Sequence, residues 1–190
     1  MKLFGMFLTA VLINNIVLTK FLGMCPFLGV SKKTSSAIGM GFAVTFVIVI
    51  ASIFTYFVHY YVLVPLDIEY MQLITFILII ASFVQLTEMI IKKYSPALYK
   101  ALGVYLPLIT TNCAVLYVAQ NNISQAYSFV EMLVSALGIS LGFVFVLYIF
   151  SAIRERLEAS SIPKYFQGNP ISLIVAAIMA IAFMGFGGLM

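Results

Sequence analysis

At 190 residues, with 64% hydrophobic and 8% charged side chains and a mean hydropathy of +1.16, the chain is not that of a water-soluble domain. Its net charge of +4 is no nucleic-acid signature in such a composition, and no nucleic-acid partner is expected. Runs of about 20 apolar residues cross a bilayer by length alone, so the informative question is which loops carry the Lys and Arg. The first twenty residues hold an apolar core and a lysine, as a signal peptide would, but no short-side-chain cleavage site. The apolar character runs on past Lys20, so the segment is expected to stay.

In chain order, the first apolar run covers Leu3 to Val30, is long for one span and is interrupted around Gly23 to Pro26. Ala37 to Val64 is the second, closed by Pro65, and Tyr70 to Ile91 the third, ending in Lys92-Lys93. Leu98 to Ala119 follows, interrupted at Pro107, then Gln125 to Ile153 and Ile171 to the end. The expected fold is an all-α integral membrane protein of six transmembrane helices joined by short loops, forming one membrane domain over 1–190.

Charge sets the expected orientation. Lys20, Lys32 and Lys33 belong to the end of span one or the loop after it, Lys92, Lys93 and Lys100 lie between spans three and four, and Arg154, Arg156 and Lys164 between five and six. Only Lys2 falls on the other side, with Asp67, Glu69 and Gln120-Asn121-Asn122. The positive-inside rule makes 31–36, 92–97 and 154–169 cytoplasmic loops and puts both termini outside.

Lys20-Phe21-Leu22-Gly23-Met24-Cys25-Pro26-Phe27-Leu28-Gly29 has an echo in Leu106-Pro107-Leu108-Ile109-Thr110-Thr111-Asn112-Cys113, and these stretches hold both cysteines of the chain. Aligning Cys25 with Cys113 divides the chain into 1–95 and 96–190. Each part has three spans, so the second copy is inverted. Gly39-Met40-Gly41-Phe42 then falls loosely on Ser140-Leu141-Gly142-Phe143, while spans three and six show no match. Such repeats place sites where two discontinuous helices meet at the midplane.

Pro26 and Pro107 fall inside apolar runs, each close to a cysteine. Proline breaks the helical ladder, and a membrane tolerates a break only where protein or a cavity satisfies the freed groups. Pro26 suits the start of a helix, and Thr111 and Asn112 are capping residues before a half-helix that Cys113 opens. A helix N-terminus favours an anion such as a thiolate. A buried thiol packing as a small hydrophobe and a disulfide remain open as alternatives. A thiolate-held iron centre needs four cysteines and the chain has two. Its one histidine, His59, sits among Tyr56, Tyr60 and Tyr61 as part of an interfacial aromatic belt. Two further thiolates must therefore come from a second chain.

Lys20 to Phe27 with Gly29-Val30-Ser31-Lys32-Lys33, and Leu102-Gly103 with Leu106 to Val115, resemble the hallmark stretches of the A-subunit family of Rnf complexes. Gln85-Leu86-Thr87-Glu88-Met89, Ile153-Arg154-Glu155-Arg156-Leu157 and the Gly-rich end Phe183 to Gly188 fit as well, so the resemblance covers essentially the whole chain. Related subunits occur in the sodium-translocating NADH:quinone oxidoreductase. Lys20, Pro26 and the short loop after span two are closer to Rnf.

The resemblance implies one component, not catalytic alone, of an ion-translocating ferredoxin:NAD oxidoreductase in the bacterial or archaeal cytoplasmic membrane. It implies that Cys25 and Cys113 are two ligands of an intramembrane [2Fe–2S] centre (a single iron being the other option), completed by the homologous E-type Rnf component. It also implies assembly with the B, C, D and G components, contact with membrane lipid, and coupling to Na⁺ or H⁺. Glu88 matches a position implicated in cation uptake in the quinone reductase, although a Glu–Lys pair with Lys92 one turn on explains it equally. Lys20 and Asn112 are placed to tune the centre; for Lys20 the other account is snorkelling to the cytoplasmic surface. The competing classes are a secondary transporter with inverted repeats and incidental cysteines, and a structural membrane scaffold.

Overall fold

The computed structural model describes residues 2–13, 15–31, 34–65, 69–94, 112–158 and 163–187, and every element among them is helical. α1 (Lys2–Leu8) continues into a π-helical turn, Thr9–Ile13, and is followed by the short helices α2 (Ile16–Lys20) and α3 (Met24–Val30). Then come α4 (Thr34–Val58), which runs on as a π-helical turn to Leu63, and α5 (Gln72–Tyr94). The second half supplies α6 (Cys113–Ser124), α7 (Phe129–Glu158) and α8 (Asn169–Gly187). Two helical stretches, Thr34–Leu63 and Phe129–Glu158, are long and apolar enough to cross a membrane, and Gln72–Leu86 and Asn169–Gly185 are shorter apolar helices.

α4 and α7 form the centre of the molecule. α4 packs along α7 and also against α5 and α6, while α1, its π turn and α2 lie on α7. Gly41 lets α4 close on α7: a β-carbon there would stand 3.0 Å from Val144 Cγ2. The shared core is built from Met40, Val44, Ile48, Phe143, Leu147 and Phe150, all fully buried. α7 starts where it does because Ser128-Phe129-Val130-Glu131 is a capping box. The Glu131 carboxylate accepts from the Ser128 N–H at 3.2 Å, which satisfies a donor that the helix itself cannot.

Three expectations are corrected or displaced. Span one is interrupted at Asn15 as well as around Gly23, and the Asn15 side chain bonds backbone groups on both sides of the break. Its Oδ1 accepts from Val17 N–H at 3.1 Å, and its Nδ2 donates to Val11 O at 3.4 Å and to Gly142 O at 2.8 Å. The segment expected to open the cytoplasmic loop 154–169 is helix as far as Glu158, and Arg154 is buried within it. The break expected at Pro107, with Thr110 and Thr111, lies outside the described residues, as do Lys32, Lys33, Asp67 and Lys100.

Candidate functional site

Between α2 and α3 the backbone turns through two left-handed residues, Phe21 (φ 54°) and Gly23 (φ 80°). Phe21 ends α2 by giving its N–H back to Ile16 O. Gly23 caps α3 and accepts from Phe27 N–H at 3.3 Å. Cys25 is the second residue of α3, and Pro26 the third. Pro26 is not the first helical residue, as expected, but its missing donor is still one of the four that no intrahelical carbonyl would use. Phe27, on the inner side of α3, stacks on Phe150 of α7 with centroids 4.1 Å apart, which anchors the short helix to the core.

Cys113 opens α6 directly after Asn112, whose Oδ1 accepts from Ala114 N–H at 3.0 Å, the cap expected from the sequence. The two motifs meet: Gly23 N–H donates to Cys113 Sγ at 3.0 Å. A side chain at Gly23 would obstruct this, since its β-carbon would lie 3.0 Å from Phe143 Cε2 and 3.4 Å from Asn112 Oδ1. Both cysteines are free, Cys25 exposed and Cys113 partly so. Asn112 is 4% exposed, yet its Nδ2 has no partner among the described residues. A burial this complete normally finds an acceptor.

These features suit thiolate ligands. Two accessible thiols stand near the starts of α3 and α6, one sulfur already accepts a backbone N–H, and an unspent amide donor adjoins the same cysteine. Hydrogen bonds of this kind orient and tune sulfur ligands. The chain has two cysteines, half of the four thiolates that an iron–sulfur centre takes, so this donor set would fit a centre shared with a second chain.

Lys20, the last residue of α2, is exposed to a polar cavity of about 370 Å³ that it lines with Tyr117, Asn121, Gln125, Tyr127 and Ser135. Tyr117 stands one helical turn beyond Cys113, so this cavity adjoins the cysteine-bearing helix. Glu88 is half-buried on α5 and lines a second, shallower cavity with Gln85, Met89 and Lys92, remote in the chain from both thiols. His59 is buried edge-on to Tyr60, beside the rings of Tyr56, Phe57, Tyr61 and Phe129.

Two residues with structural roles near the site were not singled out from the sequence. Asn15 had a visible signal, an amide pair in the middle of an apolar run. Arg154 had none, because a basic residue after an apolar run reads as a loop charge.

The chain matches the family model described as "Rnf-Nqr subunit, membrane protein" over residues 3–190. It is 57% identical over 189 residues to the A component of the Na(+)-translocating ferredoxin:NAD(+) oxidoreductase complex of Acetobacterium woodii, covering 100% of this chain and 98% of that protein. The A component of the ion-translocating oxidoreductase complex of Syntrophotalea carbinolica is 57% identical over 180 residues, 95% of this chain and 93% of that protein. That of Proteus mirabilis is 55% identical over 184 residues, with 97% and 95% covered.

Proposed function

The chain belongs to the Rnf-Nqr family of membrane-protein subunits, and from that premise we propose that it is the electron-relay A component of an ion-translocating ferredoxin:NAD⁺ oxidoreductase. In this reading it is one part of a translocase and performs no reaction by itself. Cys25 and Cys113 supply two of the four thiolates of a [2Fe–2S] centre, and a homologous chain supplies the others. The observation that carries this is the Gly23–Cys113 hydrogen bond, which joins the only two cysteine motifs of the chain at one place.

When bound, the centre supplies one-electron chemistry. The chain's own residues hold and tune it. α3 and α6 each present one cysteine near its start, and Gly23 N–H withdraws electron density from the Cys113 sulfur. Asn112 fixes the first turn of α6 through Ala114 and keeps Nδ2 available as a second donor. Lys20 adds positive charge from the cavity beside Tyr117, which favours the reduced form. Phe27, Phe143 and Phe150, fully buried, keep water from the inner side of the two motifs.

By the positive-inside rule Lys92 and Lys93 favour a cytoplasmic 92–97 segment and, with it, both termini outside, although Lys20 shares a cavity with Asn121 of the expected outer side. Together with the meeting of the cysteine motifs, this supports two inverted three-span halves. The translocated ion is Na⁺ or H⁺, with Glu88 as its collecting group at the cytoplasmic end of α5. The relatives' names tie them to an oxidoreductase complex, which supports an electron relay over a self-standing transporter.

The test is iron and sulfide content, with electron paramagnetic resonance, on the purified complex. Cys25→Ser and Cys113→Ser should each remove the signal, since three thiolates leave the centre incomplete. Full iron content and an unaltered signal in either variant would overturn the ligand assignment.

A further inference from the structure

Arg154 is 4% exposed, in the last third of α7. Its Nη1 donates to Leu28 O at 2.7 Å and to Ser31 Oγ at 2.8 Å. Leu28 lies in the last turn of α3, and Ser31 is the residue that ends it. No carboxylate pairs with the guanidinium among the described residues. Its neighbour Glu155 instead accepts from Thr34 Oγ1 at 2.6 Å, at the start of α4.

A buried cation with no counter-charge is costly, so its position calls for an explanation. A seven-residue helix is too short to be stable alone, and its last carbonyls have no intrahelical donors. The guanidinium supplies a donor to one of them, Leu28 O, and a second bond to the Ser31 hydroxyl, and its charge complements the negative end of the helix. Leu28 and Cys25 are three residues apart, on facing turns, about 4.5 Å along the axis. A shift at Leu28 is therefore a shift of the thiol.

We propose that Arg154 is a positioning residue for Cys25: from α7 it grips the C-terminal end of α3 and fixes where the thiol near the other end stands. With the Phe27–Phe150 stack one turn earlier, it locks α3 in height and rotation against the central helix. The inference rests on Cys25 being a ligand of the shared centre.

The experiment compares Arg154→Lys, Ser31→Ala and Glu155→Gln in the purified complex by electron paramagnetic resonance, midpoint potential and turnover per bound iron. Arg154→Lys keeps the charge but loses the planar fork. It should broaden or shift the signal and cut turnover per iron about tenfold, the usual loss when a residue supporting a metal ligand is changed. Ser31→Ala, which removes one acceptor and leaves the burial intact, should move the signal in the same direction by less. Glu155→Gln removes the charge from the acceptor of the Thr34 bond, one residue from Arg154, and should leave signal and potential as in the parent. Where Arg154→Lys lowers the yield, the spectrum of the assembled fraction still decides. Arg154→Lys and Ser31→Ala complexes with parental spectrum, potential and turnover per iron would overturn the proposal. An iron-replete Cys25→Ser complex would instead overturn the ligand assignment beneath it.

Discussion

Gly23 N–H lies 3.0 Å from Cys113 Sγ across 90 positions of sequence. The contact exists because Gly23 adopts φ +80° with no β-carbon to strike Phe143. Gly23→Ala forces an L-residue into the left-handed region, which costs roughly 1–2 kcal/mol, and pushes its methyl at Phe143 and Asn112. The variant complex should melt several degrees lower. Its centre should have a lower midpoint potential, because alanine keeps the N–H but the strained backbone carries it away from the sulfur, weakening a bond that stabilises added negative charge. Thermal unfolding and a redox titration check both, and a parental potential would show that this bond does not tune the centre.

Lys20 is exposed and lines a cavity along α6 with Tyr117 and Asn121. A four-thiolate two-iron centre is anionic in either redox state, so a nearby cation favours reduction. Lys20→Met should lower the midpoint potential by an amount on the order of tens of millivolts, since cavity water screens the charge. The shift should persist in Lys20→Gln and vanish in Lys20→Arg. A potential unchanged in Lys20→Met would return the residue to an anchoring role.

Glu88 shares its cavity with Lys92 and sits half-buried, a placement that suits either an ion-collecting carboxylate or a helix-end pair. Glu88→Gln keeps the shape and removes the charge. The expected result is a complex with full iron content that needs several-fold more Na⁺, or a lower pH, for half-maximal turnover. Reduced thermal stability with the ion dependence unmoved would assign Glu88 to the pair.

How far the sequence could be read differs between the ends of the two motifs. The Asn112 cap and the contact of His59 with Tyr60 follow from local chemistry, which residue type and spacing report directly; the meeting of the cysteine stretches, 90 positions apart, is legible only from their likeness as repeats. The second interruption, at Asn15, was hidden because apolar run length counts residues and ignores which carbonyl a single amide will reach; its partner Gly142 is 127 positions away. Arg154 was assigned to a loop because composition cannot distinguish a guanidinium heading for water from one turned inward to a helix end. Tertiary partners, in each case, decided what local pattern left open.

Two polar contacts that settle the beginning of the chain come from a helix near its other end. Asn15 reaches Gly142, and the end of α3 reaches Arg154. Synthesis reaches Asn15 and α3 long before α7, so neither contact can form until the later helix has been made. The local bonds of Asn15 to Val11 and Val17 are available at once, and the two to Gly142 and Arg154 close last. A nascent chain halted before residue 142 lacks both of these contacts.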